Sequence, residues 1–270
     1  MERFQTKKTI DAYTRVGLAR DKNRPGIADY IDALFTDFFC CRGDRIGLED
    51  EAILGGVARF HDLPVTVIGH RKGKDLEENV RFNFGMPQPE GYRKALRLMK
   101  QAEKFGRPII TFIDTPGAYP GLAAEEHGQS QAIAECLAEM SSLKVPVISI
   151  VTGEGNSGGA LAIGVANEIY MLEHAVYSIL SPEGFASILW KDASRSKDAC
   201  ELMKLTADEL YKAGFIEGII REPEGGIQAD PEVGFAGIDK CLQDSLQKLC
   251  ALSGTRLQKE RYEKFRNMAR

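Results

Sequence analysis

The stretch of residues 146–164 constrains the fold of this chain more than any other part of the sequence. It reads Pro-Val-Ile-Ser-Ile-Val-Thr-Gly-Glu-Gly-Asn-Ser-Gly-Gly-Ala-Leu-Ala-Ile-Gly, an apolar β-branched run followed by a glycine-rich turn and by small residues at helical spacing. This pattern predicts a strand that leads directly into the N-terminus of a helix. We expect Ser157 to cap that helix. Such a cap would leave the amides of Gly158, Gly159 and Ala160 free in the first turn.

Free main-chain amides at a helix N-terminus can hold a developing negative charge. The glycines of this turn also let a ligand approach the backbone closely, because they carry no side chain. The sequence therefore predicts that the chemistry of this protein rests on main-chain donors rather than on a titrating side chain.

A second glycine-rich turn, at residues 114–121, directly follows the β-branched run at residues 109–113. If a helix at about residues 124–143 returns the chain to the same sheet, the two strand ends lie side by side. Ligands of such sheets bind outside those ends. Gly117 and Ala118 are then expected to face the same crevice as the first turn. The alternative is that these glycines serve only tight turns and close packing.

Helix and strand signals alternate along the rest of the chain, which predicts an α/β fold with helices packed on a largely parallel sheet. We expect helix caps at Ser181 and Thr206. The remaining predicted elements are a helix at 27–39, a β-hairpin at 52–60 and 64–68, an amphipathic helix at 90–105, strands at 169–172 and 176–180, and two helices from residue 235 onward.

The composition excludes several classes of function. The 270 residues carry a net charge of −4, so nothing indicates a nucleic-acid partner. The six cysteines form no C-x-x-C pair, which disfavours a zinc knuckle and suits buried thiols in a reducing cytosol. Residues 1–8 lack the apolar core of a secretory signal. No apolar run approaches the ~18 residues that span a bilayer. We therefore expect a cytoplasmic protein without a membrane partner.

One alternative function is a serine hydrolase that uses Ser157, of either the ClpP-like or the α/β-hydrolase type. Gly155, Ser157 and Gly159 match the G-x-S-x-G nucleophile elbow of α/β-hydrolases. Such an enzyme needs a histidine base and an acid downstream of the serine. Only His174 follows Ser157, 17 positions on. The order and spacing of a hydrolase are therefore poorly met, and a structural role for Ser157 is favoured.

Several long motifs then identify a family. They occur in a fixed order at residues 71–73, 83–87 with 89–95, 112–121, 154–155 with 157–164, and 181–184 with 186–190. Together they closely resemble the carboxyltransferase α subunits of the multi-subunit acetyl-CoA carboxylases of bacteria and plastids. The resemblance covers about residues 43–226. Several motifs in fixed order are far more specific than one glycine turn.

The resemblance implies a crotonase-like fold built from repeated ββα units and related to ClpP-type peptidases and enoyl-CoA hydratases. It divides the chain into a helical N-terminal arm at residues 1–40, a carboxyltransferase core at 41–226 and a helical C-terminal tail at 227–270. The arm is shorter than in many bacterial members, and the tail matches only weakly.

The resemblance also implies an activity and its partners. The family transfers a carboxyl group from carboxybiotin, held on a biotin carboxyl carrier protein, to acetyl-CoA and so forms malonyl-CoA for fatty-acid synthesis. The α subunit works with a zinc-ribbon β subunit in an α2β2 assembly, alongside biotin carboxylase. Biotin is attached to the carrier and not to this chain, and no metal is expected here.

Site residues follow from the same resemblance. By position, the amides of residues 158–160 would hold the ureido oxygen of biotin, which acts as its own base. Gly117, Ala118, Tyr119, Gly155 and Ser157 would line that pocket. The side chains at positions 71 and 72, an arginine and a lysine, are candidates for contacts with the phosphates of coenzyme A, although solvent exposure alone also explains them. The asparagine at position 156 stands where many members have glycine.

Overall fold

The computed structural model describes residues 10–268 and contains one eight-stranded sheet. The spatial order of the strands is β1-β2-β3-β4-β5-β6-β8, and β7 pairs with β5. Strands β1 to β3 are antiparallel, and every later pairing is parallel. The strands are β1 (Thr36–Cys40), β2 (Ile53–Phe60), β3 (Leu63–His70), β4 (Ile109–Thr115), β5 (Val147–Asn156), β6 (Glu168–Leu172), β7 (Val176–Ser178) and β8 (Gly218–Ile220).

Twelve α-helices cover the sheet within the described residues. They are α1 (Ala12–Ala19), α2 (Ile27–Leu34), α3 (Leu76–Arg81), α4 (Pro89–Lys104), α5 (Leu122–Glu126), α6 (Gln129–Ser142), α7 (Ser157–Leu161), α8 (Pro182–Trp190), α9 (Ser196–Met203), α10 (Ala207–Lys212), α11 (Pro231–Leu249) and α12 (Gly254–Asn267). The predicted α/β fold with a largely parallel sheet is confirmed, as are the hairpin β2–β3 and the amphipathic helix α4. The predicted caps at Ser181 and Thr206 are present.

Strands β4 and β5 lie at the centre of the sheet and are almost completely buried. Every residue of β5 is buried, including its glycines, and only Asp114 of β4 is partly exposed. A strand covered on both faces needs a continuous apolar run rather than an alternating one. The runs at residues 109–113 and 147–151 have that pattern, so both central strands can be predicted from the sequence.

The predicted helix at residues 27–39 is wrong in its second half. Helix α2 ends at Leu34, and Phe35 is already extended. Residues 36–40 form β1, which pairs with β2 across an irregularity between Thr36 and Phe39. Asp37 has a left-handed φ of 54° at this irregularity. The phenylalanines at helical spacing therefore do not continue the helix, because the chain joins the edge of the sheet.

The predicted helix at residues 124–143 is two helices. Helix α5 ends at Glu126, and α6 begins at Gln129. Gly128 between them has a φ of +84°, a conformation that an L side chain rarely adopts. The break redirects the chain, so α6 alone returns it to the start of β5.

The arm and the tail pack into the same hydrophobic cluster as the core. Ile27 and Ile31 from the arm belong to this cluster together with Leu242 and Leu246 from the tail. Arg261, 1% exposed, donates hydrogen bonds to three main-chain carbonyls in the last turn of α6 and in the segment between α6 and β5. Residues 1–9 of the predicted arm lie outside the described residues. No helix between residues 10 and 268 is long and apolar enough to span a membrane.

Candidate active site

The ends of β4 and β5 lie side by side at one edge of the sheet. Ile109 pairs with Val147, and the register continues to Thr115 opposite Gly155 after one irregularity. The turn after β4 (residues 116–121, the β4 turn) and the turn after β5 (residues 156–160, the β5 turn) therefore emerge at the same place. This is where parallel sheets commonly bind their ligands.

The two turns touch at Gly159. A Cβ atom on Gly159 would lie 2.6 Å from the Ala118 nitrogen, 2.7 Å from the Gly117 carbonyl carbon and 2.9 Å from the Tyr92 hydroxyl. Main-chain atoms on the opposite side cannot move away from such a contact without moving their turn. Only glycine fits this position, so the spacing of the two turns is fixed by their direct contact.

The β4 turn is closed by a side chain and is open on its outer face. The Thr115 hydroxyl donates to the Gly117 carbonyl at 2.7 Å, and the Gly117 amide donates to the same hydroxyl at 3.0 Å. Gly117 has a φ of +143°, and a Cβ there would meet no atom within 4 Å. The Tyr119 amide donates to the Pro87 carbonyl, and its ring packs on Gly121. Gly117 thus borders open space beside Gly159.

The β5 turn begins later than the sequence predicted, and the prediction that Ser157 caps α7 is wrong. Strand β5 continues through Gly155. A Cβ atom on Gly155 would lie 2.8 Å from the Tyr177 ring, so this position has no room for a side chain. Asn156 is the residue before the helix and is extended, whereas Ser157 has a left-handed φ of 60°. A capping side chain needs an extended backbone to fold back onto the helix. Ser157 instead projects outward and is exposed.

Asn156 anchors the β5 turn from the other side. Its side chain is 1% exposed, and its Oδ1 accepts a hydrogen bond of 2.9 Å from the Ser178 hydroxyl. Ser178 pairs with Asn156 in the β5–β7 ladder. The asparagine that departs from the family pattern therefore ties the turn to β7 without removing a main-chain amide.

The first turn of α7 carries the amides of Gly158, Gly159 and Ala160. The first three N–H groups of a helix have no partner within it. Because α7 begins at Ser157, these groups include the amides of Gly158 and Gly159, whereas Ala160 is the fourth residue, where a helix normally forms its first bond back to the cap residue. The Ala162 amide already donates to the Gly158 carbonyl at 2.9 Å, so the free donors are confined to the start of α7. Gly158 is half-buried, whereas Gly159 and Ala160 are buried. Clustered donors in a buried turn can stabilise an oxyanion without a change of structure during the reaction.

A chain of charged side chains lies behind the two turns. Lys72 Nζ donates to Asp114 Oδ1 at 2.6 Å and to Glu154 Oε2 at 3.1 Å. Arg20 Nε donates to Glu154 Oε1 at 2.7 Å, and its terminal nitrogens bind both carboxylate oxygens of Glu183. These contacts join α1, the loop after β3, the ends of β4 and β5, and α8.

The charges in this chain hold one another ionised. Burial alone lowers the pKa of Lys72, but Asp114 and Glu154 outweigh burial and raise the pKa above its ordinary value. Burial alone raises the pKa of Glu154, but Lys72 and Arg20 outweigh it and lower the pKa. Both groups therefore stay charged at neutral pH.

The structure separates the two predicted phosphate-binding candidates. Lys72 would have to leave two carboxylates to bind a phosphate. Arg71 stacks 4.0 Å from the centre of the Phe82 ring, and its side chain is 28% exposed. Sequence reasoning missed the contacts of Arg20 and the bridge that Lys72 forms between Asp114 and Glu154. Both acids lie within the motifs that carry the family resemblance, but no spacing rule indicates which cation each would bind.

Two buried polar side chains lie under the β5 turn. His70 is 1% exposed, and neither of its ring nitrogens has a hydrogen-bond partner among the described residues. Burial lowers the pKa of His70 to about 3, so the ring is neutral. The Tyr92 hydroxyl, next to Gly159, is likewise buried and unpartnered within the described part of the chain.

The geometry does not support a serine nucleophile at Ser157. His61 binds Asp239 and His127 binds Glu90, each at 2.7 Å. His70 and His174 are buried. Within residues 10–268, no histidine is hydrogen-bonded to Ser157, so the base that a hydrolase requires is not in place.

An apolar cavity of about 400 Å³ borders the β5 turn. Ser157 and Leu161 form its wall on the side of α7, and Tyr177 and Ser178 contribute from β7. No sequence pattern indicates this cavity, because its walls come from segments up to 111 positions apart (residues 157 and 268). The described residues contain no group of three or more histidine, cysteine, aspartate or glutamate side chains arranged to hold a metal ion.

Two solved structures share this fold. The transcarboxylase 12S hexamer, with methylmalonyl-coenzyme A and methylmalonic acid bound, has a TM-score of 0.69 at 17% identity, covering 87% of this chain and 44% of that chain. The Pseudomonas malonate decarboxylase hetero-tetramer in complex with coenzyme A has a TM-score of 0.67 at 17% identity, covering 91% and 92%. The chain therefore has the crotonase-like α/β fold, as predicted.

Sequence comparison then shows the family. The family described as "Acetyl co-enzyme A carboxylase carboxyltransferase-like" matches residues 2–269. The acetyl-coenzyme A carboxylase carboxyl transferase subunit alpha of Geobacillus sp. (strain WCH70) is 59% identical over 259 residues, which are 96% of this chain and 80% of that protein. The subunit alpha of Bacillus subtilis (strain 168) is 58% identical over the same shares. The chain belongs to this family, and the predicted resemblance is confirmed.

Proposed function

We propose that this chain is the α subunit of a carboxyltransferase that moves a carboxyl group from carboxybiotin to acetyl-CoA and forms malonyl-CoA. The observation that carries the proposal is the contact of the two turns at Gly159, beside the free amides of α7. The family membership gives the substrate class, and the contact gives this chain a place to bind it.

We assign the amides of Gly158 and Gly159 to the ureido oxygen of biotin, with Ala160 as the third candidate donor. Carboxybiotin supplies the carboxyl group and, after its release, the basic atom, so this chain need not supply a base. The neutral, buried His70 and the absence of a titrating side chain among the candidate donors fit that division of work. Gly117 and Ala118 would form the opposite wall, and the apolar cavity beside Ser157 offers surface for the carbon skeleton of the ring.

We propose a zinc-ribbon β subunit as the partner, in an α2β2 assembly that also receives the biotin carboxyl carrier protein and biotin carboxylase. Carboxyl transfer to a thioester develops negative charge on two oxygens, and the α7 turn offers one cluster of donors. The second cluster is therefore assigned to the partner. The Pseudomonas malonate decarboxylase with the same fold is also a hetero-tetramer. We assign the assembly to the cytoplasm, consistent with six free cysteines in the described chain.

Reconstitution tests this function. Malonyl-CoA formation from acetyl-CoA and carboxybiotin is measured with this chain alone, with a zinc-ribbon β subunit alone, and with both. Activity confined to the mixture is the expected result. Activity of either chain alone would contradict a shared site, and an inactive mixture of associated chains would contradict the assigned reaction.

A further inference from the structure

Arg20 connects the N-terminal arm to the end of β5. It directly follows α1, and its Nε donates to Glu154 Oε1 at 2.7 Å. Its two terminal nitrogens bind the two carboxylate oxygens of Glu183 at 2.7 and 3.1 Å. This use of both edges of a planar guanidinium is specific to arginine. The side chain of Glu154 is only 6% exposed, so the arm reaches into the interior of the site.

Glu154 links this contact to β4. Its second oxygen accepts from Lys72, which also binds Asp114. The Glu154 amide donates to the same Asp114 oxygen at 2.9 Å. Gly153, the neighbouring residue, leaves room for that carboxylate, since a Cβ there would lie 2.3 Å from Asp114 Oδ1. The ends of β4 and β5 are thus held together by the ion pairs of Lys72 as well as by the hydrogen bonds of the sheet.

The contacts among Lys72, Asp114 and Glu154 lie directly next to the two turns of the site. Asp114 immediately precedes Thr115, which closes the β4 turn, and Glu154 lies four residues before Gly158. The contact at Gly159 leaves no spare room between the turns. A shift of the end of β5 therefore moves the donor amides relative to Gly117 and Ala118.

We propose that Arg20 is a positioning residue of the active site, which acts through Glu154 to hold the β5 turn against the β4 turn. The activity readout rests on the carboxyltransferase function proposed above. Arg20 touches no reacting atom in this scheme. The arm is then part of the catalytic core, whatever else it contacts.

Two other arm arginines supply the comparison. Arg24 is buried, donates to the Thr152 carbonyl at 2.6 Å and forms a bidentate pair with Glu222, so its loss would leave the buried Glu222 carboxylate without its cation and destabilise the fold. Arg15 lies on α1 and binds Asp208 at 2.7 Å and the carbonyl of Glu173, both of which lie outside the two turns. Arg15→Gln is therefore the matched control: it removes a charged contact between the same helix and the core.

The test uses the reconstituted complex with Arg20→Gln, Arg20→Lys and Arg15→Gln. Misplacing catalytic groups by an ångström can cost about 100-fold in rate, so we expect kcat of Arg20→Gln to fall by roughly 10- to 100-fold. The KM for acetyl-CoA should change little. Arg20→Lys keeps the charge but not the double contact and should recover part of the rate. Arg15→Gln should keep the wild-type kcat even if its thermal midpoint falls as far as that of Arg20→Gln.

Hydrogen exchange provides a readout that does not depend on the reaction. We expect Arg20→Gln, and not Arg15→Gln, to speed exchange in peptides covering residues 112–121 and 153–162. Equal kcat and equal exchange in the two glutamine variants would overturn the proposal. If Arg20→Gln does not fold, a wild-type kcat and exchange pattern in Arg20→Lys would overturn it. An inactive wild-type complex would contradict the proposed function, while the exchange comparison would still decide the role of Arg20.

Discussion

The two turns of the site differ in how they are held and in what they offer. The β4 turn is closed by the Thr115 hydroxyl and leaves Gly117 facing open space. The β5 turn follows a fully buried strand, reverses at the left-handed Ser157 and presents main-chain amides. One turn supplies room and the other supplies donors. Neither is sufficient without the other, since a ligand must reach the donors through the space beside them.

The largest effect is expected where the turns touch. Gly159→Ala places a Cβ 2.6 Å from the Ala118 nitrogen and must push the turns apart. We expect kcat of the complex to fall by about 100-fold or more, because misplacement of this size removes aligned donors. Gly17→Ala on α1 is the control for an added Cβ, since that atom would meet nothing within 4 Å and lies outside the two turns. A Gly159→Ala enzyme that turns over like Gly17→Ala would remove the contact from the mechanism.

The next effect concerns the closure of the β4 turn. Thr115→Val keeps the shape of the side chain but removes the hydroxyl that bonds both the amide and the carbonyl of Gly117. Two buried polar groups then lose their partner, which should cost about 1–3 kcal/mol of unfolding free energy. Urea denaturation measures this loss, and kcat should fall with it. Thr115→Ser keeps the hydroxyl and should recover both, so equal losses in the two variants would assign the effect to packing.

A smaller, pH-dependent effect is expected beneath the β5 turn. The folded pKa of His70 is about 3, below its unfolded value, so between these values the unfolded chain binds more protons and stability falls as pH falls. With an ordinary histidine pKa of about 6.5 in the unfolded chain, His70 should remove about 2 kcal/mol between pH 8 and pH 5. His70→Met should flatten this part of the stability profile in urea denaturation. Equal slopes in both proteins would show that His70 is protonated in the folded state.

The smallest effect is expected at Ser157. Its side chain is exposed and makes no capping bond, so Ser157→Ala should change kcat by no more than about twofold, the size expected for an exposed substitution. The loss of about 1 kcal/mol that a capping serine would give is not expected either. A nucleophilic serine predicts that the same variant is inactive. Turnover of Ser157→Ala therefore separates the donor turn from a nucleophile elbow.

Sequence reasoning reached the parts of this site that depend on local pattern. Continuous apolar runs identified β4 and β5, and the parallel connection predicted that the ends of these two strands lie side by side. It failed at Ser157, because nothing in the local sequence shows that β5 stays extended through Asn156 and reverses with a positive φ. It failed at residues 36–40, because helical spacing of phenylalanines cannot show that the chain reaches a sheet edge.

The chain of charges was out of reach for a different reason. Arg20 and Glu154 are 134 positions apart, and Lys72 and Asp114 are 42 apart. Such ion pairs are formed by the tertiary fold. The sequence alone does not indicate which of the many charged residues of this chain become partners. Likewise, the division of the chain at residues 40 and 226 follows the sequence, whereas its hydrophobic cluster draws on residues from both sides of each boundary.

The most direct measurement replaces a single donor and leaves the shape of the turn unchanged. Incorporation of the matching α-hydroxy acid at Gly158, Gly159 or Ala160, one at a time, exchanges the N–H for an ester oxygen. Removal of one oxyanion donor typically costs about 10²–10³ in kcat, and we expect that loss at one or more of these positions in the reconstituted complex. The same exchange at Ala162, whose amide is used within α7, should leave kcat near wild type. Wild-type kcat in each of the three singly substituted proteins would contradict the assignment of these amides as oxyanion donors.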